Sequence, residues 1–282
     1  MDEAFIIQSH RGAGRLSSDN TLEAFELGWS LGTIPETDMR TTRDGVIVGF
    51  HDKTLERVVR SASPELAARS VAEVSWEELK NLDVGSWMDP TFAHHRVPRL
   101  ADIFAVMRGR RERQLYLDIK EVDLQKLAEL VKEFGVNDQV LFASSDYSLI
   151  RSWGSLVPGA RTLLWMGTWG KDDDTLLEAK FTDLRARNFQ YVTQVQIHAH
   201  LKLPLEEIHR KTVDPFMPSD AFFRAAAREL AERGVLLQSL PWGGGTEEVY
   251  WKLLDLGVRS FASDHPEVTL RAIQRYKPLA IN

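Results

Sequence analysis

The sequence predicts a (β/α)8 TIM barrel with a small insertion after the second strand, and three observations carry that reading. Eight short β-rich runs recur along the chain, and amphipathic helical stretches lie between most of them, a pattern that implies parallel pairing. The 282 residues suit one α/β barrel as well as two average domains. The rival architecture, an open doubly wound sheet, lacks the Gly-x-Gly-x-x-Gly turn after the first strand. The expected organisation is therefore one domain, residues 1–282, with an insertion at about 53–98.

The first strand is expected at 4–9 (AFIIQS), ending at His10, with a helix at about 21–31, Asn20 as its N-cap and Glu23 in its first turn. The second strand lies near 35–41. Arg43-Asp44-Gly45 then marks a turn, and 46–50 (VIVGF) returns as a hairpin arm. The insertion follows, with a helix near 75–82 and a turn at Asp89-Pro90, and is expected to cover the active-site face. Further strands are expected at 114–119, 139–143, 161–165, 191–197, 235–240 and 258–262, with helices at about 100–109, 123–134, 146–154, 172–187, 219–233 and 246–256.

Composition narrows the function. The formal charge of −6 argues against a nucleic-acid partner, because phosphate neutralisation dominates such affinity. The absence of cysteine excludes disulfides and thiolate metal sites. No apolar run approaches the ~18 residues of a membrane-spanning helix, so no integral membrane association is expected. The N-terminus lacks the basic start and long apolar stretch of a secretory signal, and a cytoplasmic location is the expectation.

His10 and Asp118 fall where barrels place their sites, at strand C-termini, and Glu36 and Asp38 lie along the second strand. Glu36 and Asp38 are two apart on the second strand and share a face, a costly arrangement unless a cation lies between them. The alternative is one carboxylate paired with an arginine and the other at a solvated strand end. Asp118 and Lys120 repeat the spacing on the next barrel strand and add a third oxygen ligand and a fixed positive charge. Three carboxylates without thiolates suit Mg²⁺ or Ca²⁺.

His10 and His51 are candidate acid and base, since imidazole exchanges protons near neutrality; a hydrogen-bonded structural histidine is the competing account of each. The turn at 43–45 folds the hairpin arm back and can return His51 to the level of Glu36. Arg11 offers a forked donor for phosphate oxygens or a surface salt bridge. Asp52 either orients the His51 imidazole or caps the following turn. His198 and His200 imitate a metal pair but are expected to point across a rim loop. Gly243-Gly244-Gly245 before a helix is an anion site or a plain barrel loop, and Trp165, Trp169 and Trp242 line a pocket or pack the core.

Taken together these segments resemble the glycerophosphodiester phosphodiesterase family. The resemblance rests on His10-Arg11-Gly12, on Asp19-Asn20-Thr21-Leu22-Glu23-Ala24-Phe25, on Glu36-Thr37-Asp38, and on Thr42-Arg43-Asp44-Gly45-Val46. It continues through His51-Asp52-Lys53-Thr54-Leu55-Glu56-Arg57, Leu82-Asp83-Val84-Gly85-Ser86-Trp87, Val97-Pro98-Arg99-Leu100 and Asp118-Ile119-Lys120. Ser144-Ser145 and Ser263-Asp264-His265-Pro266 also look like family positions. The resemblance implies one divalent cation, Mg²⁺ or Ca²⁺, held by Glu36, Asp38 and Asp118. It implies acid–base roles for His10 and His51, with Arg11 and Lys120 near the phosphate; Asn20 and Trp242 are further candidate substrate contacts. The substrate is then a small phosphodiester, cleaved to glycerol 3-phosphate and an alcohol by water, or through a cyclic phosphate. Asp19 and Asp118 stand where the family usually has Glu, and 239–242 (SLPW) replaces a common Thr-x-Asn. Asp-x-Lys at 118–120 is also similar to the sphingomyelinase D group, so a phospholipase D-like activity is one alternative, and a phosphate-binding barrel without turnover is another.

Overall fold

The chain is a (β/α)8 TIM barrel in this computed structural model, which describes residues 5–60, 62–167 and 173–278. Ala4 and Trp169 lie outside the described residues. In chain order the strands are β1 (Ile6–Ser9), β2 (Ile34–Thr41), β3 (Ile47–Gly49), β4 (Leu115–Glu121), β5 (Val140–Ser144), β6 (Arg161–Trp165), β7 (Gln194–Leu201), β8 (Phe216–Met217), β9 (Leu236–Trp242) and β10 (Ser260–Ser263). The helices are α1 (Leu22–Ser30), α2 (Pro64–Ala67), α3 (Trp76–Leu79), α4 (Leu100–Met107), α5 (Leu124–Phe134), α6 (Tyr147–Leu156), α7 (Asp174–Ala186), α8 (Asp220–Glu232), α9 (Glu247–Asp255) and α10 (Pro266–Arg275). β3 and β8 pair antiparallel with β2 and β7, and are arms outside the eight barrel strands. Among the described residues no helix is long and apolar enough to cross a membrane.

Contacts divide the chain into two compact units. The first comprises 9–143 and 152–160, and in it β2, β4 and β5 run parallel with β3 on the β2 edge. The register sets Glu36 opposite Tyr116 and Asp38 opposite Asp118. β4 carries Leu115, Tyr116 and Leu117 wholly buried, and Phe142 of β5 stacks on Trp153 with ring centroids 4.9 Å apart. Each fully buried aromatic or aliphatic side chain contributes about 1.5–3 kcal/mol, which is why these strands hold a fixed register.

The insertion has an apolar cluster of its own. Leu55, Val58, Val59, Val71, Val74, Leu79 and Val84 bury with Val48 and Phe50 of the hairpin arm. The helix expected at 75–82 shortens to α3, a single turn started by the Ser75–Glu78 capping box.

The second unit comprises 1–8, 144–151 and 161–282. Its parallel pairs are β6–β7, β7–β9 and β9–β10. Here β7 starts later and runs further than the expected 191–197. Asn188, Phe189 and Tyr191 all adopt left-handed backbone (φ 51°, 53° and 63°), a turn that delays the strand. His198 and His200 therefore sit inside β7, opposite Leu240 and Trp242 of β9. Neither β8 nor α10 was expected, although Pro266 at the first turn of α10 is a recognised helix-start signal.

Candidate active site

The acidic cluster is assembled by two adjacent parallel strands. Alternation puts Glu36 and Asp38 on one face of β2, and the register brings Asp118 beside Asp38. One oxygen from each of Glu36, Asp38 and Asp118 lies within 4.8 Å of the others. The register shifts between Met39 and Arg40, leaving Lys120 as the extra residue on β4. From there its Nζ lies 2.8 Å from Asp118 Oδ2 and 3.1 Å from Asp38 Oδ1. A bulge re-aims a side chain, and this one points an ammonium between two carboxylates.

Asp38 is fully buried. Burial alone would raise its pKa, but Lys120, His51 and Arg11 outweigh it and hold the carboxyl well below the usual range. Asp118 moves the other way. Loss of hydration, with Glu36 and Asp38 nearby and only Lys120 opposing, pushes it up to about 7. Lys120 is raised, its burial outweighed by Asp118 and Asp38. Arg11 is likewise raised, burial being outweighed by Asp38 and Asp19.

His10 and Arg11 follow β1 directly, and Arg11 has a left-handed backbone (φ 54°). Its Nη1 donates to Asp19 Oδ2 at 2.9 Å, and its buried Nε, 3.9 Å from Asp38 Oδ2, has no hydrogen-bond partner among the described residues. The turn is possible because α1 comes very close. A Cβ on Gly12 (φ +112°) would meet Ala24 Cβ at 2.6 Å, and one on Gly28 would meet the Gly12 carbonyl at 2.4 Å. Asn20 does not cap α1. Thr21 does, accepting from Ala24 N at 3.3 Å, because both ends of the Asn20 amide are committed to Asp38. Asn20 Nδ2 donates to Asp38 Oδ2, and Asn20 Oδ1 accepts from Asp38 N, each at 2.8 Å.

The hairpin arm returns His51 as the turn suggested. The amide of Phe50, one residue earlier, donates to the Asp38 carbonyl at 2.8 Å. His51 Nδ1 lies 2.7 Å from Asp52 Oδ1, and Asp52 Oδ2 accepts from Arg57 Nε at 2.5 Å. Arg57 Nη2 in turn donates to Asp19 Oδ2 at 2.7 Å. An unbroken chain of charged contacts thus joins Arg11, Asp19, Arg57, Asp52 and His51. Burial would raise Asp52, but hydrogen bonds from His51 and Arg57 outweigh it and bring it down to about 2. The linking roles of Asp19 and Arg57 carry no local sequence signal; only their places in the matching motifs marked them.

Trp242 belongs to the other unit. It is 49% exposed and stacks on His198 with centroids 5.5 Å apart, and His198 also meets Trp165 at 5.0 Å. The described residues thus gather Trp165, His198, His200 and Trp242 into one ring cluster.

The donor set can hold a cation. Three carboxylates converge, and among the described residues the buried Asp38 Oδ1 has Lys120 Nζ at 3.1 Å but no hydrogen bond of good geometry. Barrel and cluster together define a class: a (β/α)8 protein whose strand ends bring three carboxylates and two basic side chains together. Residues 10–268 match the Glycerophosphoryl diester phosphodiesterase family, and the chain belongs to that family. It is 27% identical over 160 residues to a glycerophosphodiester phosphodiesterase of Caldanaerobacter subterraneus subsp. tengcongensis, a match covering 54% of this chain and 63% of that relative. A glycerophosphodiester phosphodiesterase structure from Agrobacterium tumefaciens superposes with a TM-score of 0.69 at 22% identity, covering 95% of this chain and all of that one. A phosphodiesterase from Oleispira antarctica, solved with the product sn-glycerol-3-phosphate, superposes with a TM-score of 0.70 at 20% identity, covering 95% of this chain and 96% of that one. At these identities the two structures carry the barrel fold.

Proposed function

We propose that this chain is a divalent-cation-dependent phosphodiesterase that hydrolyses glycerophosphodiesters to glycerol 3-phosphate and an alcohol. The observation that supports it best is the convergence of Glu36, Asp38 and Asp118 beside Arg11 and Lys120, in a chain of this family. The product bound to the Oleispira antarctica protein agrees with it. Glu36, Asp38 and Asp118 hold the cation, Mg²⁺ or Ca²⁺ by the hardness of an all-oxygen donor set. When bound, the cation supplies charge neutralisation at the phosphate oxygens.

The remaining steps belong to the chain's own residues. Arg11 and Lys120 bind the phosphate and orient phosphorus for in-line attack. Asn20 acts on the substrate only indirectly, by fixing the Asp38 carboxylate. Asp52, held ionised, accepts from His51 Nδ1–H and leaves Nε2 to exchange a proton with the reacting oxygens. His10 serves the opposite side of the reaction, so that one imidazole takes the proton of the attacking hydroxyl and the other supplies the departing alcohol. Each well-placed acid–base group contributes roughly 10²–10⁴-fold.

The test measures glycerol 3-phosphate release from glycerophosphocholine and glycerophosphoethanolamine, choline release from lysophosphatidylcholine, and phenol release from an aryl phosphodiester. Turnover of the two glycerophosphodiesters, abolished by chelator and restored by Mg²⁺ or Ca²⁺, is expected. His10→Ala and His51→Ala are each expected to lose about 10²-fold or more in kcat with an unchanged circular dichroism spectrum. Chelator-insensitive cleavage, or wild-type rates in either histidine variant, would sink the reading. Turnover confined to lysophosphatidylcholine would replace it with a phospholipase D-like one.

A further inference from the structure

A second group of ligating side chains lies outside the acidic cluster and plays no part in the proposed reaction. Glu23 stands in the first turn of α1, and His94 and His95 follow the insertion's last turn. Each offers one ligand atom, and the three atoms lie within 4.8 Å of one another. We propose that Glu23, His94 and His95 form a structural transition-metal site of the Zn²⁺ class that pins the end of the insertion to α1.

The donor chemistry separates this site from the first. Two imidazoles and one carboxylate suit a borderline ion such as Zn²⁺, whereas three carboxylates suit Mg²⁺ or Ca²⁺. The bland alternative is a pair of surface histidines near a carboxylate, and His95 argues against it. A merely solvated histidine is exposed, but His95 is 3% exposed and its ring stacks on Phe92 with centroids 4.8 Å apart. Its Nδ1 lies 2.6 Å from the buried Ser18 Oγ. Metal-ligating histidines commonly donate the second ring N–H to an oxygen, which fixes the tautomer and frees the other nitrogen for the metal. In the tautomer that gives Nδ1–H to Ser18 the lone pair of Nε2 is available, and among the described residues no hydrogen bond engages Nε2.

The other two ligands have room to adjust. Glu23 and His94 are exposed, and the His94 ring already stands edge-on to His95 at 4.5 Å between centroids. Metal–ligand bonds of ~2.0–2.2 Å in a tetrahedral site bring ligand atoms to about 3.3–3.6 Å of one another. The rotors of two exposed side chains can cover the remaining ångström or so, and water fills the fourth position.

The consequence would reach the acidic site through short connections. Ser18, which holds His95, directly precedes Asp19 and Asn20, and these contact Arg11, Arg57 and Asp38. A metal across Glu23, His94 and His95 would therefore fasten the loop that fastens Asp38.

The test is Zn²⁺ titration of the chelator-stripped full chain by calorimetry. It is repeated in His94→Ala, in Glu23→Gln, and in a Glu36→Gln/Asp118→Asn variant that removes the acidic cluster's own affinity. Co²⁺ absorption reports ligand geometry, and thermal melts with and without Zn²⁺ report stapling. One Zn²⁺ that persists in the acidic-cluster variant is expected, together with a tetrahedral Co²⁺ spectrum and a Zn²⁺-dependent rise in melting temperature. His94→Ala and Glu23→Gln are each expected to weaken that binding at least tenfold and to abolish the rise, while their metal-free melts match wild type. Unchanged Zn²⁺ affinity in both single variants overturns the site. So does Zn²⁺ binding that vanishes when only the acidic cluster is removed. Neither result depends on turnover, so failure here and failure of the phosphodiesterase reading are separately visible.

Discussion

Asp38 is fully buried, and the side chains around it account for most of the polar design of the site. Asn20 Nδ2 is at 2.8 Å, Lys120 Nζ at 3.1 Å and Arg11 Nε at 3.9 Å. The Asn20 amide also accepts from the Asp38 backbone, so this one side chain fixes both the strand and the carboxylate. Residues that hold a ligand in place commonly matter about 10–100-fold in metal affinity or activity. Asn20→Ala is therefore expected to raise the Mg²⁺ concentration giving half-maximal turnover by about 10–100-fold. Excess cation should recover most of kcat, and a Mg²⁺ requirement equal to wild type would show that Asn20 does not position Asp38. Spacing on β2 and β4 made Glu36, Asp38, Asp118 and Lys120 legible in the sequence, because alternation is a strict rule. The Asn20–Asp38 bond was not legible. It spans 18 positions and depends on a left-handed Asn20 (φ 54°), which no local pattern announces.

At the scale of elements, the contact of α1 with the His10–Gly12 turn sets where Arg11 can point. Two effects compete at Gly28. Replacing a mid-helix glycine by alanine normally stabilises by about 0.8–1 kcal/mol through helix propensity. Here the new Cβ would lie 2.4 Å from the Gly12 carbonyl and 2.8 Å from the Pro35 ring. Overpacking of this kind costs typically 1–3 kcal/mol, so the clash outweighs the propensity. Gly28→Ala is expected to lower the midpoint of urea unfolding and to reduce kcat together, because relief requires moving α1 away from the turn that carries Arg11. A stability gain near the helix-propensity value would show that the contact is slack. The same competition explains which elements the sequence disclosed. Most barrel helices have long amphipathic faces and were visible as such. β8 has two residues and the β4 register shift adds one, and neither leaves a periodic trace.

For the molecule as a whole, the barrel order was legible because strands and helices alternate, whereas the price of its charge arrangement becomes clear only from the packing. Asp118 is raised to about 7 in the folded chain, against an unfolded value of about 3.9. Between those two pH values the unfolded chain releases this proton and the folded chain keeps it. Folding is therefore progressively disfavoured as pH rises through that window, and the deficit is fully present above about pH 7. Asp52 has the opposite sign. Lowered to about 2, it adds stability above the ordinary aspartate pKa and loses it only as pH falls toward 2. Asp118 thus acts within the window from about pH 4 to 7, where Asp52 is already ionised in both states. In chelator, wild-type melts are expected to fall across that window, and Asp118→Asn is expected to flatten the fall. Mg²⁺ should restore the wild type above pH 7 by binding the ionised carboxylate, and should leave Asp118→Asn nearly unchanged. Parallel pH–stability curves for the two proteins without metal would show that Asp118 ionises normally. The site would then not be strained by its own carboxylates, and the physical case for a cation among them would fail.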